Sequence, residues 1–131
     1  MTEYLLQTKY WIESSKDDLN SAESIFQNGN YDWSLYIAHL ALEKVLKAYF
    51  VFSQHKIPPK THKLDRIAEL SSLKLSSQQE ELFKYVNEFN IETRYPDYKR
   101  KFHKLCTKEF AEKYLNEIKE VYNWLLEQIK E

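Results

Sequence analysis

Residues 31–53 constrain the fold more than any other stretch, because they are apolar around almost the whole circumference of one predicted helix. Large apolar side chains recur throughout this stretch, with Ala38, Ala41 and Ala48 between them. A helix that is hydrophobic on nearly every side packs at the centre of a bundle rather than at its surface. The sequence therefore predicts a helical bundle in which the segment from Tyr31 to Ser53 is central.

The same segment carries a row of polar side chains that needs an explanation. His39, Glu43 and Lys47 follow one another at intervals of four residues, and Lys44 lies beside them. This spacing places an acid, a base and a cation on one face of the helix. The row is either a set of structural ion pairs, with Glu43 at its centre, or part of a functional site in which Glu43 acts as a general base.

Composition favours an all-helical protein. The chain has 131 residues, one glycine and three prolines, and such a length forms one domain, which we assign to residues 1–131. A single cysteine, Cys106, allows neither an intrachain disulfide nor a cysteine-based zinc site. The chain contains no phosphate-cradling glycine loop, His-x-x-x-His pair or magnesium-type carboxylate cluster, so we predict no metal and no cofactor.

The apolar pattern predicts an antiparallel, up-and-down bundle of about five helices. The first extends from Glu3 to Gln27 and ends at Gly29, with Asn30 as the cap of the second. Thr61 is predicted to cap a short third helix, and the fourth begins near Ser76 or Ser77 in a capping box. Residues 90–106 lack periodicity and are predicted to form an ordered loop, since Pro96 disfavours helix at Tyr95. Thr107 caps the last helix.

Basic residues are concentrated in two segments, although the net charge is only −1. We call residues 56–66 the first basic segment and residues 94–108 the second. In an up-and-down bundle of five helices, both segments would connect helices at the same end. Helix N-termini at that end would also favour anions. The sequence thus predicts one end of the bundle that attracts phosphate.

Three short pieces of sequence resemble the HEPN family of small helical-bundle domains. Residues 36–48 read YIAHLALEKVLKA, residues 61–64 read THKL and residues 93–97 read TRYPD. The pieces occur in the family's order and spacing, and the resemblance covers nearly the whole chain. It implies an antiparallel bundle, often a homodimer, and often a partner of a minimal nucleotidyltransferase in a pair of toxin–antitoxin type.

Several branches of that family are metal-independent ribonucleases, whose signature is an arginine followed after four to six residues by a histidine. This chain departs from the signature. Arg66 has no histidine at that distance, Arg94 is separated from His103 by eight residues, and Arg100 is too close to His103. Arg94 and His103 could act together only if the segment between them folds back.

The sequence yields three groups of candidate site residues. Candidates for phosphate or nucleotide binding are Lys47, His62, Lys63, Arg94 and Tyr95. Residues expected to organise the site are His39, Glu43, Lys44 and Asp97. Candidates for catalysis, if the protein is an enzyme, are His62, Arg94 and His103. Three of these residues also have a structural alternative. His62 could be a capping or surface residue, Arg94 could form a salt bridge, and Tyr95 could pack over the end of the bundle.

Three functions remain open on the sequence. The first is a nucleotide- or RNA-binding module that forms a homodimer and works with a minimal nucleotidyltransferase. The second is a divergent, metal-independent endoribonuclease. The third is a non-catalytic subunit that binds another protein through apolar helix faces. We expect a cytoplasmic protein, because neither a signal peptide nor a membrane-spanning segment is recognisable.

Overall fold

The computed structural model describes the backbone of residues 2–130 and their side chains, except those of residues 91–94 and 96–99. Over this part of the chain the protein is all helical, as predicted, without any β-strand. The six helices are α1 (Glu3–Gln27), α2 (Tyr31–Gln54), α3 (Leu64–Leu70), α4 (Ser77–Arg94), α5 (Pro96–Leu105) and α6 (Lys108–Gln128).

Helix α2 is central, as its apolar circumference predicted. Helices α1, α3, α4, α5 and α6 all pack against it, and Leu35, Leu42 and Leu46 on α2 are fully buried. The core continues through the other helices with Ala22, Leu64, Phe83, Phe89, Phe102, Ile118 and Leu125. Burial of these side chains is the main stabilising contribution to the bundle.

Several predicted helix ends are confirmed. Gly29 has a φ of 83° and ends α1, where the Gly29 and Asn30 amides donate to the carbonyls of Phe26 and Ile25. These two bonds form a Schellman motif, which requires a left-handed residue. The capping box before α4 is present, because Ser76 and Gln79 each accept a hydrogen bond from the other's amide. Thr107 Oγ1 likewise accepts from the Phe110 amide at the start of α6.

The predicted loop over residues 90–106 is wrong. Helix α4 continues to Arg94, and Pro96 begins the ten-residue helix α5. Pro96 does prevent helix at Tyr95, whose backbone is extended (φ −104°, ψ 125°). A proline at the first helical position loses no backbone bond and has the required φ. The proline therefore separates two helices instead of marking a loop.

Two predicted caps are also wrong. Asn30 makes no side-chain capping bond to α2, and Thr61 accepts only from the amide of Lys63, before α3 begins. The cap of α3 comes from another helix. Asn87 Oδ1 on α4 accepts from the Leu64 amide at 2.8 Å, while Asn87 Nδ2 donates to Asp65 at 2.8 Å. One α4 side chain thus fixes the start of α3.

The prediction that the two basic segments meet at one end of the bundle is wrong. The Tyr4 ring stacks on His55 with a centroid distance of 3.7 Å, so the end of α2 lies beside the start of α1. The imidazole of His103 contacts Asp32 at 3.2 Å, so the end of α5 lies beside the start of α2. The first basic segment therefore begins at the C-terminal end of α2, whereas the second reaches its N-terminal end.

The cause is the direction of α3. Its first amide bonds to Asn87, well along α4, whereas the Ser71 carbonyl just after it accepts from Gln54 Nε2 at the end of α2 (3.3 Å). Helix α3 thus runs in the same direction as α2. The connection over residues 55–63 runs back along α2, in the opposite direction. Helix α4 then begins at the end where α2 finishes.

Among the helices of the described residues, none is both long and apolar enough to cross a membrane.

Candidate functional site

Glu43 is the centre of the polar row on α2. Its Oε2 atom accepts from Lys47 Nζ at 3.0 Å and lies 3.1 Å from His62 Nδ1. The Glu43 side chain is only 7% exposed, and burial of a carboxylate is unfavourable unless opposite charge and hydrogen bonds compensate it. Lys47 and His62 provide this compensation. The structure thus brings together three residues that the sequence predicted for the site.

Lys47 already has partners for its charge. Its side chain is 11% exposed, and the ammonium lies 5.5 Å from the ring centroid of Trp11 in addition to its bond with Glu43. A cation over an indole face gains electrostatic stabilisation. This geometry favours a structural role for Lys47 over the predicted role in phosphate binding.

His39 is fully buried beside this pair. Among the described residues, neither ring nitrogen makes a hydrogen bond of ordinary geometry, although the His62 backbone lies close enough to act on the ring and raise its pKa. Burial lowers the pKa of His39 from 6.5 to about 4, and the negative charge of Glu43 opposes this only partly. His39 is therefore neutral near pH 7. The second oxygen of Glu43, Oε1, is also buried, and no described residue forms a hydrogen bond with it.

His62 forms the solvent-facing side of the cluster. Its side chain is 61% exposed, and Nδ1 is the atom directed to Glu43. A carboxylate on one ring nitrogen fixes the orientation of the imidazole and leaves the other nitrogen for a ligand. The neighbouring residues Lys60 and Lys63 are exposed. This arrangement suits an anion that approaches from solvent.

A second pair of the same kind occurs at the start of α2. His103 Nδ1 on α5 lies 3.2 Å from Asp32 Oδ2, and the side chains are 72% and 5% exposed. Asp32 Oδ1 accepts from the Trp33 amide at 2.9 Å. His103 was among the residues predicted from the sequence, whereas Asp32 was not. The available signal was its spacing of eleven residues from Glu43, which places the two carboxylates on one helix face.

The remaining predicted site residues are dispersed. Lys44 forms an ion pair with Asp18 on α1 at 2.8 Å, away from Glu43. Tyr95 is 54% exposed in the link between α4 and α5. The side chains of Arg94 and Asp97 lie outside the described residues, so their roles stay predictions. The described part of the chain contains no group of three His, Cys, Asp or Glu residues placed to hold a metal ion.

The two histidines are too far apart to act on one phosphate within a single chain. Their carboxylate partners, Asp32 and Glu43, are separated by eleven residues of α2, which corresponds to about 16 Å along the axis. An acid–base pair needs both groups within hydrogen-bond reach of the reacting atoms. His62 and His103 therefore form two separate sites in the protomer.

Comparison with known proteins identifies the family. The sequence profile of the HEPN domain matches residues 8–129. The crystal structure of TT1696 from Thermus thermophilus is similar, with a TM-score of 0.77 and 22% identity over 92% of this chain and 97% of that one. The archaeal HEPN homologue ST0689 gives a TM-score of 0.68 and 19% identity over 95% and 98%.

A comparison with curated protein sequences finds no match. At these identities, the two solved structures establish similarity of fold, in agreement with the six-helix architecture described above. The profile match extends from the first third of α1 past the end of α6, and so covers most of the chain. The chain therefore belongs to the HEPN domain family.

Proposed function

We propose that this protein binds a phosphate group of a nucleotide or RNA at His62. The observation that carries the proposal is the bond between the buried carboxylate of Glu43 and the exposed imidazole of His62. Because the carboxylate holds Nδ1, the protonated imidazole presents its Nε2–H group as a donor to a phosphate oxygen. Hydrogen bonds with a charged donor or acceptor are roughly twice as strong as neutral ones.

The charge distribution supports a local phosphate site. The chain as a whole has a net charge of −1, so general attraction to polyanions is weak. Around His62, however, Lys60 and Lys63 are exposed. The Arg66 guanidinium nearby on α3 is paired with Glu69 at 2.6 Å and contributes less. Binding should therefore depend on a few residues and weaken as salt is added.

Equilibrium binding of ATP and of labelled single-stranded RNA near pH 6 tests the proposal, with salt varied from about 50 to 200 mM. His62→Gln should weaken both ligands by about tenfold, since it removes one charge-assisted bond. His55→Asn is the matched control: His55 is an exposed histidine in a left-handed conformation, which asparagine tolerates. Equal affinities of wild type and His62→Gln would overturn the proposal.

A second candidate is a metal-independent endoribonuclease. The observation that favours it is again Glu43 and His62, because a carboxylate-bound imidazole can act as a general base. In this candidate, Arg94 would stabilise the phosphate charge, and His62 or His103 would transfer the proton. RNA cleavage that persists in excess chelator and disappears in His62→Ala or His103→Ala would support this candidate. Binding without cleavage supports the first.

We further propose, from the family resemblance, that the protein is a cytoplasmic homodimer and the partner of a minimal nucleotidyltransferase in a pair of toxin–antitoxin type. Exposed apolar side chains support a protein contact. Leu6 and Tyr10 lie one turn apart on α1 and are 51% and 63% exposed, and Ile57 is 82% exposed. Stacking of Tyr4 on His55 brings the segment of Ile57 to the same end.

Sedimentation of the purified protein, alone and with its co-expressed genetic neighbour, tests these contacts. Tyr10→Glu should reduce association, because it places a charge in an apolar patch. A monomer that binds a protein partner but neither ATP nor RNA would instead indicate a non-catalytic interaction subunit.

A further inference from the structure

The two carboxylate–histidine pairs lie on the same face of α2. Asp32 and Glu43 are eleven residues apart, which is three full helical turns with a remainder of about 20°. Because each histidine lies within 3.2 Å of its carboxylate, the two imidazoles also project from this side of the bundle. The Cα atoms of Asp32 and Glu43 are separated by about 16 Å along the α2 axis.

The two pairs have the same construction. In each, a carboxylate that is at most 7% exposed contacts Nδ1 of a histidine that is at least 61% exposed. The histidines come from different parts of the chain, His62 from the connection before α3 and His103 from α5. Each has an exposed lysine next to it in sequence, Lys63 and Lys104. Both ends of the stripe therefore offer an oriented donor and a cation.

Aromatic side chains occupy the interval between the two pairs. Tyr36 follows Asp32 by one turn on the same stripe, and it is partly exposed. The ring of Trp33 packs edge-on against Tyr36 with a centroid distance of 5.8 Å, and Trp33 is 41% exposed. Aromatic side chains between phosphate-binding groups provide surfaces on which bases of a single strand can stack.

We propose that the surface that includes His62, Trp33, Tyr36 and His103 binds a single strand of nucleic acid across both pairs, with one phosphate at His62 and another at His103. The inference rests on the proposed function for the first phosphate and adds the second, which makes an oligonucleotide, not a mononucleotide, the preferred ligand. A stacked strand advances about 3.4 Å per nucleotide, so about 16 Å corresponds to about five nucleotides. A duplex would not expose its bases to Trp33 and Tyr36.

The length dependence of binding distinguishes one phosphate contact from two. Affinities of oligouridylates from about two to eight nucleotides should be measured near pH 6. We expect the affinity to rise by about tenfold or more once the strand spans both imidazoles, beyond the increase from charge alone. A single-stranded DNA series, a duplex and a polyglutamate of equal charge serve as comparison ligands.

Two histidine variants locate the contacts. His103→Gln should lower the affinity for the longer strands by about tenfold. The affinities for ATP and for the dinucleotide should stay unchanged. His62→Gln should weaken short and long ligands alike. His103 is exposed and makes only one described bond, so its substitution is expected to leave the fold intact. His55→Asn again provides the control, since His55 lies at the other end of α2.

The outcomes separate this inference from the proposed function. If His62→Gln weakens ATP but His103→Gln changes no affinity at any length, the second contact is excluded and the phosphate site at His62 remains. If neither ATP nor any strand binds, both proposals are overturned. Equal affinity for the duplex or for polyglutamate would also overturn the inference, because it assigns the face to single-stranded nucleic acid.

Discussion

At the residue scale, the polar residues of α2 mainly compensate one another's buried charges. Glu43 and Lys47 are both largely removed from solvent, and each provides the other's opposite charge. His39 is buried as a neutral group, since burial lowers its pKa to about 4. Only His62 reaches solvent. The cluster therefore exposes one imidazole above a buried pair of opposite charges. Substitutions of its members should differ sharply in their effects on stability and binding.

Replacing Glu43 should destabilise the fold. Glu43→Gln leaves the ammonium of Lys47 in a buried position without its carboxylate, and loss of one partner of a buried pair typically costs about 3 kcal/mol. Urea unfolding measures this loss. Glu69→Gln is the control, because the pair of Glu69 and Arg66 is largely exposed and should contribute less than about 1 kcal/mol. Similar losses in both variants would contradict the role of Glu43.

His39 should make the protein less stable in acid. The unfolded imidazole has a pKa of 6.5 and the folded one about 4, so between these values the unfolded state binds more protons. The stability contributed by neutral His39 is complete above pH 6.5 and falls as the pH decreases towards 4. Between about pH 7.5 and pH 5, this group should remove about 2 kcal/mol from the free energy of unfolding.

Urea midpoints at the two pH values measure this effect in wild type and in His39→Leu. The leucine variant lacks the titrating group, so its pH dependence should be smaller by that amount. Groups that do not interact with His39 titrate equally in both proteins and cancel in the difference, whereas Glu43 and His62 interact with it directly. The same pH dependence in both would show that His39 is charged or solvated when folded.

At the element scale, helices with a continuous apolar stripe were predictable and the others were not. The bounds of α1 were correct, and those of α2 differed by one residue at its end, because periodicity and Gly29 define them locally. Helix α5 was missed because half of its residues are basic and it begins with Pro96, although Phe102 anchors it in the core. The cap of α3 was missed because Asn87 belongs to a different helix.

The tertiary cap of α3 gives a further prediction. Asn87→Ala removes the acceptor of the Leu64 amide and the donor to Asp65, and should cost about 1–2 kcal/mol. Hydrogen exchange should accelerate in α3 more than in α1 or α6, since α3 has only seven residues. Asn123→Ala is the control, an exposed position within α6. Uniform acceleration in all helices would argue against a local cap.

At the scale of the whole molecule, the sequence predicted the basic segments and the polar row of α2 but not how they are arranged. His39, Glu43 and Lys47 share a stripe that spacing alone reveals. The meeting of Glu43 with His62, and of Asp32 with His103, depends on the direction of α3 and on α5, neither of which was predictable from local pattern. The result is two carboxylate-bound imidazoles on one side of α2 in place of one basic end.

The measurement that tests this account most directly is nuclear magnetic resonance of the histidine rings during titration with a single-stranded RNA of about eight nucleotides. We expect large shifts of the His62 ring resonances, smaller or equal shifts of the His103 resonances, and none for His55 at the C-terminal end of α2. RNA that binds while the His62 resonances stay unchanged would contradict the assignment of the site.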